Sequence, residues 1–197
     1  MTEQNQNGNQ LNRYKLDFRG KDISLMDLRD MDLEGADFFG MDLSGKSLRD
    51  LNLTYCDFSC ANLSGCDLSG SDLSNSKMLE TDLSKAILYE ADLTGCDLTN
   101  AKICDTKLEE TWLCSAKLYE TDFTGTNFRN VHLKRAYIRD CNFKDADLSY
   151  LDLREFDLEG CNFDGTTTSC AKMSQSQYEG ILNSLPPEIE EEPELEI

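Results

Sequence analysis

Apolar residues recur at every fifth position along most of the chain. The register begins in the run LDFRG KDISL MDLRD MDLEG, and its central positions continue from Phe18 to Phe163 without a slip. All thirty centres are Leu, Phe, Ile or Met. The residue two positions before each centre is mostly small, and the residue between the two is mostly Asp or Asn. Inward and outward positions therefore alternate over three residues, which is the period of a β-strand.

Two residues of each five-residue unit remain to turn the chain before the next short strand. Strand and turn alternate thirty times, which predicts a coil of stacked strands. The unit x-Asp-Leu-x-x, often with Ala or Cys first, resembles the repeat of the pentapeptide-repeat family over residues 16–165. The resemblance implies an all-β solenoid, a right-handed quadrilateral β-helix with four repeats in each coil. Thirty repeats would then form about seven and a half coils, with residues twenty apart stacked at about 4.8 Å.

The repeat degenerates over residues 166–185, where Thr168 occupies a centre. Ser174 and Gln177 then have the spacing of a helical capping box, and Pro186 stops the helix. The pattern predicts a short C-terminal helix that either caps the last coil of a monomer or pairs two copies of the chain in a homodimer. Its apolar face would comprise Tyr178, Ile181, Leu182 and Leu185.

The two ends of the chain differ from the repeats. Residues 1–15, which begin with an Asn/Gln-rich run, are predicted to be disordered or loosely packed, and residues 186–197, with six Glu and three Pro, a disordered acidic tail. The inward column of the first coils is coarse and includes Lys21 and Lys46. Either their ammonium groups reach toward the open N-terminal end, or the chain bends locally.

Composition and charge narrow the classes of function. With 39% hydrophobic and 29% charged residues, the 197-residue chain suits one soluble domain, and nothing in it predicts a membrane span. Residues 1–10 lack the basic and apolar regions of a secretory signal, which favours a cytoplasmic protein. The net charge of −19 argues against direct nucleic-acid binding, because that requires basic residues to neutralise phosphates.

Catalysis would depend on the outward positions, and these are uniform. Asp recurs there as part of the repeat, whereas a hydrolase needs two carboxylates in different environments. His132 is the only histidine, and the sequence singles out no orienting acid or nucleophile beside it. The cysteines form no C-x-x-C pair. We therefore expect no enzyme activity, no cofactor and no metal site.

The cysteines have mainly a structural interpretation. Five of the nine occupy the small inward column and are interpreted as apolar fillers. Cys141 and Cys161 lie twenty residues apart in this column, so they should stack on adjacent coils at a Cα distance that permits a disulfide. Free thiols are the expected state in a cytoplasmic protein.

The repeat departs from its own rule in one band of the chain. Nine of the thirty residues that precede a centre are neither Asp nor Asn, and eight of these lie between 77 and 137. Residues 16–99 carry seventeen acids and seven bases and 146–165 six and one, whereas 100–145 carry seven and eight. Exposed Trp, Tyr and Arg are enriched at interface hot spots, which predicts a partner site with Trp112 as its anchor. The site would comprise Ile87, Tyr89, Lys107, Trp112, Lys117, Tyr119, Arg129, His132, Lys134, Arg135, Tyr137 and Arg139.

The twenty-residue period also predicts which of these residues adjoin. The pairs are Ile87 beside Lys107, Trp112 beside His132, Lys117 beside Tyr137, and Tyr119 beside Arg139. The sequence thus predicts a non-catalytic scaffold that binds another protein, whose identity it does not specify. The alternative rests on the resemblance, since some pentapeptide-repeat proteins are dimeric DNA mimics that bind DNA gyrase and protect it from quinolones. The repeats carry thirty acids and sixteen bases, a net charge of −14. B-DNA has one negative charge per about 1.7 Å, or roughly 21 over the length of the rod, so mimicry would be partial.

Overall fold

The computed structural model describes residues 15–23 and 26–184. Its regular elements are two short strands and one helix, β1 (Lys117–Tyr119), β2 (Tyr137–Arg139) and α1 (Gln175–Ser184). β1 and β2 pair in parallel. Elsewhere in these residues the chain forms single parallel bridges, because each repeat stays extended for only about three residues before it turns.

Each bridge joins residues twenty positions apart. The Asp57 N–H donates to the Ala36 carbonyl at 3.0 Å, and the Phe58 N–H donates to the Lys77 carbonyl at 2.8 Å. One residue thus bonds to the preceding coil and the next residue to the following coil, as in a parallel ladder. Four ladders run along the rod, and the fold is therefore the β-helix that the repeat predicted. One coil is joined to the next by the bridges Asp57–Lys77, Asn62–Asp82, Asp67–Ile87 and Asp72–Asp92.

The corners of the coil are β-turns with a left-handed residue at the third position. The Cys66 N–H donates to the Leu63 carbonyl at 3.0 Å, and Gly65 between them has a φ of +65°. A type II turn requires such a residue, which favours glycine. Tyr55 and Cys60 occupy the same position at φ of 59° and 58°, although a side chain there costs about 1 kcal/mol. The N–H groups of Tyr55 and Cys60 donate to the carbonyls of Ser74 and Leu79 in the next coil, and these bonds help to hold the turn where glycine is absent.

The central residues of the repeats fill the interior of the rod. Phe18, Phe38 and Phe58 stack with ring centroids 4.7 and 4.8 Å apart, and Phe123 stacks on Phe143 at 5.4 Å. The first two distances equal the separation of neighbouring strands, so identical residues twenty apart lie directly over one another. These columns form one continuous apolar core.

Small polar residues line the rest of the interior without leaving polar groups unsatisfied. The Thr81 hydroxyl donates to the Phe58 carbonyl at 2.8 Å, and the Cys96 thiol lies 3.0 Å from the Leu73 carbonyl in the same arrangement. Each of these carbonyls belongs to a centre one coil earlier. Among the described residues, no buried side-chain nitrogen or oxygen lacks a partner. The inward column therefore accepts Ser, Thr and Cys as readily as Ala.

Some of the large inward residues of the first coils are exposed at the surface. Leu16 is 36% exposed and Met26 is 44% exposed. Lys21 is exposed, with its Nζ 5.8 Å from the centroid of the Phe18 ring, and Lys46 is half-buried. The Lys21 ammonium group therefore does leave the interior, as its cost of burial requires.

The predicted capping box fixes the start of α1 on the last coil. The Ser174 hydroxyl accepts the Gln177 N–H at 3.3 Å, and the Gln177 side-chain oxygen accepts the Ser174 N–H at 2.8 Å. The amide nitrogen of Gln177 also donates to the carbonyls of Leu153 and Phe156 at 2.7 and 2.9 Å. The first turn of α1 is thus held by backbone acceptors of the preceding coil.

Only part of the predicted apolar helix face packs on the rod. Ile181 is half-buried against the core, but Tyr178 is 51% exposed. The Leu182 side chain, Leu185 and the predicted acidic tail lie outside the described residues, as does the N-terminal segment up to residue 14. No helix in the described part of the chain is both long and apolar enough to cross a membrane.

Candidate functional site

The recurring Asp has a structural role. The carboxylate of Asp42 accepts the backbone N–H of Ser44 at 3.0 Å, and that of Asp147 accepts the backbone N–H of Ser149 at 2.9 Å. The same bond recurs from Asp17 to Asn162. The bond satisfies a backbone N–H that has no partner in the ladders between coils. It also holds the pKa of Asp42 below its usual value.

The exceptions to the Asp rule give up this bond. Lys, Ile and Trp side chains have no hydrogen-bond acceptor, and the ring of His or Tyr cannot turn back as Asp does. Apart from Ser47, whose hydroxyl can accept a hydrogen bond, each substitution therefore exchanges a structural contact for a larger side chain on the wall. The exceptions are Ser47, Lys77, Ile87, Lys102, Lys107, Trp112, Lys117, His132 and Tyr137.

Trp112 and His132 form a stacked pair on one face. Their ring centroids are 4.0 Å apart and their planes differ by 24°. Trp112 is nevertheless 47% exposed, and His132 is half-buried. The stack fixes the indole in one orientation on the surface, which lowers the conformational entropy that a partner would have to remove on binding.

A second aromatic pair lies on the adjacent face, where β1 pairs with β2. Tyr119 and Tyr137 have ring centroids 6.4 Å apart, and Tyr137 is 54% exposed. Lys117 precedes this pair and donates to the Asp97 carboxylate at 2.9 Å, which raises the pKa of the lysine. Arg139 donates to Glu159 at 2.7 Å. The pairings of β1 with β2 agree with the predicted twenty-residue neighbours.

Two exposed bases occupy the corner between these faces. Lys134 and Arg135 follow His132 and precede Tyr137 on a single coil, and both are exposed. Neither makes an ion pair with any residue that the structure describes. We use the name aromatic–basic corner for Lys134 and Arg135 together with the two ring pairs, Trp112 with His132 and Tyr137 with Tyr119.

The remaining predicted residues lie on other parts of the surface. Ile87 adjoins Lys107, as predicted, but it is half-buried. Tyr89 is 45% exposed, and its contact with the Glu90 carboxylate raises the pKa of its hydroxyl. Together with Arg129 they lie on the face that adjoins the Trp112 face on the side away from Tyr137, so the predicted residues are spread over three faces.

Sequence analysis missed a groove beside His132. The groove has a volume of about 960 Å³ and is lined by Arg129, His132 and Tyr150 among others. Tyr150 is 76% exposed, and the Asn130 amide donates to the Glu110 carboxylate at 2.9 Å at its edge. Tyr150, Asn130 and Glu110 occupy the second position after a centre, where the residue type varies too much along the repeat to mark a site.

The ladders are interrupted close to this groove. Among the described residues, the bridges skip the pairs 132–152 and 137–157. Here the inward column carries Val131, Leu151 and Phe156 in place of smaller residues. Leu151 and Phe156 are only partly buried. The bulky inward residues therefore coincide with the missing bridges beside the groove.

The thiols are free and mostly shielded. Cys141 is buried and Cys161 is half-buried, and neither forms a disulfide. Contact with the Cys161 thiol and burial together raise the pKa of Cys141. The two residues thus meet on adjacent coils as predicted. The described residues contain no group of three or more His, Cys, Asp and Glu side chains suited to a metal ion.

The twenty-residue ladders, the left-handed corners and the apolar central column define a β-helical repeat protein. The sequence matches the family model for pentapeptide repeats, and the chain belongs to this family. The matched segments are residues 32–70, 66–103, 96–135, 106–145 and 141–176. A search of curated proteins finds no match.

Solved structures of other pentapeptide repeat proteins are similar to this chain. HetL, involved in heterocyst differentiation regulation in the cyanobacterium Nostoc, is 25% identical with a TM-score of 0.54, over 74% of this chain and 86% of HetL. A thylakoid-lumen protein of Arabidopsis thaliana is 28% identical with a TM-score of 0.33, over 55% and 68%. QnrB1, a plasmid-mediated fluoroquinolone resistance protein, is 20% identical with a TM-score of 0.42, over 75% and 82%.

Proposed function

We propose that this protein is a non-catalytic scaffold that binds another protein through residues 100–145. The observation that carries the proposal is the exchange of the structural Asp for projecting aromatic and basic side chains in this stretch. The exchange gives up a hydrogen bond worth about 0.5–1.5 kcal/mol at each position. A role in binding explains why side chains such as Trp112 replace Asp in neighbouring repeats.

The charge distribution supports the same surface. Residues 100–145 carry seven acids and eight bases, so this band is nearly neutral in a chain of net charge −19. Aromatic residues and Arg are enriched in protein interfaces, and this band exposes both. The rigid ladders hold these side chains at fixed spacing, which favours recognition of a partner of matching shape.

Affinity capture with matched variants tests the proposal. The full-length protein, Trp112→Ala and Phe39→Ala serve as baits, and bound proteins are compared by quantitative mass spectrometry. Phe39 is 49% exposed and Trp112 47%, so the control removes an equally exposed aromatic ring outside the band. A partner should lose about 30-fold in affinity with Trp112→Ala, the effect of a hot spot of about 2 kcal/mol, and little with Phe39→Ala. Equal retention by all three baits would refute the proposal.

The alternative function is DNA mimicry directed at DNA gyrase. It is supported by the acidic N-terminal part, where residues 16–99 carry seventeen acids and seven bases. Asp17, Asp37 and Asp57 follow one another along a single face. A gyrase supercoiling assay at micromolar protein, with and without a quinolone, separates the two functions. Inhibition or protection would favour mimicry, and the absence of both would leave the scaffold.

For the oligomeric state we favour a monomer whose last coil is capped by α1. The contacts of Gln177 and Ile181 with the last coil support capping, whereas the exposed ring of Tyr178 supports a dimer through the same helix. Light scattering of the wild type and Tyr178→Glu decides between them. A dimer in the wild type that dissociates in the variant would overturn our preference. For the compartment we propose the cytoplasm, where the nine cysteines would stay reduced.

A further inference from the structure

Lys134 and Arg135 differ from most bases in the acidic part of the rod. Arg19, Arg49 and Arg154, for example, pair with repeat carboxylates, at 2.8 Å for Arg19 and 3.1 Å for Arg49. The residues one coil before Lys134 and Arg135 are Cys and Ser, so the rod offers no carboxylate from that side. One coil later lie Arg154, which pairs with Asp152, and Glu155, but neither Lys134 nor Arg135 makes an ion pair among the described residues.

Aromatic rings flank the two bases on both sides. The Trp112–His132 stack lies on one face, and the Tyr119–Tyr137 pair lies on the next. Because His132, Lys134, Arg135 and Tyr137 follow one another around a single coil, the corner presents ring, charge, charge and ring in sequence. The spacing is fixed by the ladder at Trp112 and by the β1–β2 pairing at Tyr137.

We propose that the aromatic–basic corner binds an acidic peptide segment of a partner protein in which carboxylates alternate with apolar residues. The carboxylates pair with Lys134 and Arg135, and the apolar side chains cover the rings of Trp112 and Tyr137. This inference rests on the proposed scaffold function and specifies the chemistry of its partner. Charge complementarity selects the acids, and the two exposed aromatic walls require apolar neighbours beside them.

The net charge of −19 does not prevent this contact, but it makes the salt dependence characteristic. At about 0.15 M salt the Debye length is about 8 Å, so the acidic faces beyond the corner are largely screened while direct ion pairs persist. At low salt the whole rod repels an acidic peptide. Association should therefore speed up from low to physiological salt, and the complex should weaken above it.

The intrinsic fluorescence of Trp112 tests the proposal directly, because it is the only tryptophan in the chain. The probe is a synthetic ten-residue peptide in which Glu alternates with Leu and Phe, titrated into the full-length protein. We expect the Trp112 fluorescence to change and to reach saturation as this peptide is added. A peptide with Lys in place of Glu, and one with Ser in place of Leu and Phe, should both bind at least about tenfold more weakly.

Paired variants locate the binding site. Lys134→Gln with Arg135→Gln should weaken binding about tenfold, the effect of two surface ion pairs of up to about 1 kcal/mol each. The control, Lys144→Gln with Lys85→Gln, removes two charges from the same repeat positions at the diagonally opposite corner and should change affinity less than about twofold. Tyr137→Ala should weaken binding several-fold. All these side chains are exposed, so circular dichroism and the melting temperature should stay unchanged.

Several results would overturn the proposal. These are no saturable fluorescence change, equal binding of the Lys peptide or of the peptide without apolar residues, and equal losses in the two charge variants. Failure here leaves the scaffold proposal open to its own test, because Trp112→Ala is measured there against captured partners of any chemistry. Equal retention of every captured partner by the wild-type and Trp112→Ala baits would instead contradict both proposals.

Discussion

Replacing Lys102 by Asn should cost less stability than replacing it by another neutral residue, because Asn restores the bond that the repeat otherwise provides. Lys102 lies on one face between Asp82 and Asp122, one coil away on either side. Its side chain has no acceptor for the backbone N–H two residues on, at Cys104. Asn at this position would supply one.

Asn142, two coils further along the same face, indicates the size of the gain. Its side-chain oxygen accepts the Lys144 N–H at 3.2 Å, and its amide nitrogen donates to Asp122 at 3.0 Å. Each net hydrogen bond contributes about 0.5–1.5 kcal/mol, and both are partly exposed, so the lower figure applies to each. Lys102 also attracts Asp82 and Asp122, and its loss costs up to about 1 kcal/mol in any neutral variant.

The matched variant is Lys102→Gln, which loses the same charge but is one methylene too long for the bond. The free energy of unfolding should therefore be about 1 kcal/mol higher for Asn than for Gln, or about 2–4 °C in melting temperature. Urea titrations followed by circular dichroism measure the difference. Equal stability of the two variants, or a more stable Gln variant, would refute the structural role assigned to the repeat Asp.

Three further predictions follow from the interior and from the Asp column. Thr111→Val removes a buried hydroxyl that donates to the Leu88 carbonyl at 2.7 Å, so unfolding should require about 1–3 kcal/mol less in urea titrations, while Thr111→Ser should stay near the wild type. Cys60 is exposed and should react rapidly with a thiol reagent at neutral pH, whereas burial raises the pKa of Cys66 to about 11. Cys66 should therefore label only on unfolding, and equal rates would contradict the buried column. The pKa of Asp42 is lowered in the fold by a backbone N–H, so its stabilising effect is complete above pH about 4 and is lost as pH falls toward the folded pKa. Asp42→Asn should reduce this acid dependence, and an unchanged slope would argue against the bond.

Pairwise neighbours on the surface were predictable because the repeat converts sequence distance into spatial distance. Trp112 and His132 are twenty residues apart, and their rings do stack. The structural interpretation of the Asp column was also predictable, but its cause was not. Only the coordinates show that the carboxylate accepts an N–H two residues on, as Asp147 does from Ser149. That bond explains why an exception costs stability.

The exposure of individual site residues was not predictable from the pattern. Ile87 and Trp112 both depart from the Asp rule, yet Trp112 is 47% exposed and Ile87 is half-buried. Tyr150 obeys the register at a turn position and was overlooked, although it is, at 76%, the most exposed large apolar or aromatic side chain in the described part of the chain. Exposure at a turn depends on how the next coil packs, which a five-residue rule does not describe.

The amino-acid sequence by itself determines the path of the backbone, because each five-residue unit carries its own strand, turn and core residue and needs only its neighbours twenty residues away. Fold, core and surface neighbours follow from that local rule. Tertiary structure alone decides which charges pair and how open each patch is. Lys134 and Arg135 are exposed and make no ion pair among the described residues, although Glu155 lies one coil after Arg135 in the sequence. Bridges are missing near His132, where bulky inward residues of separate repeats, such as Val131 and Leu151, meet. These properties depend on several side chains from different repeats at once, so they can be seen only in the stacked coils.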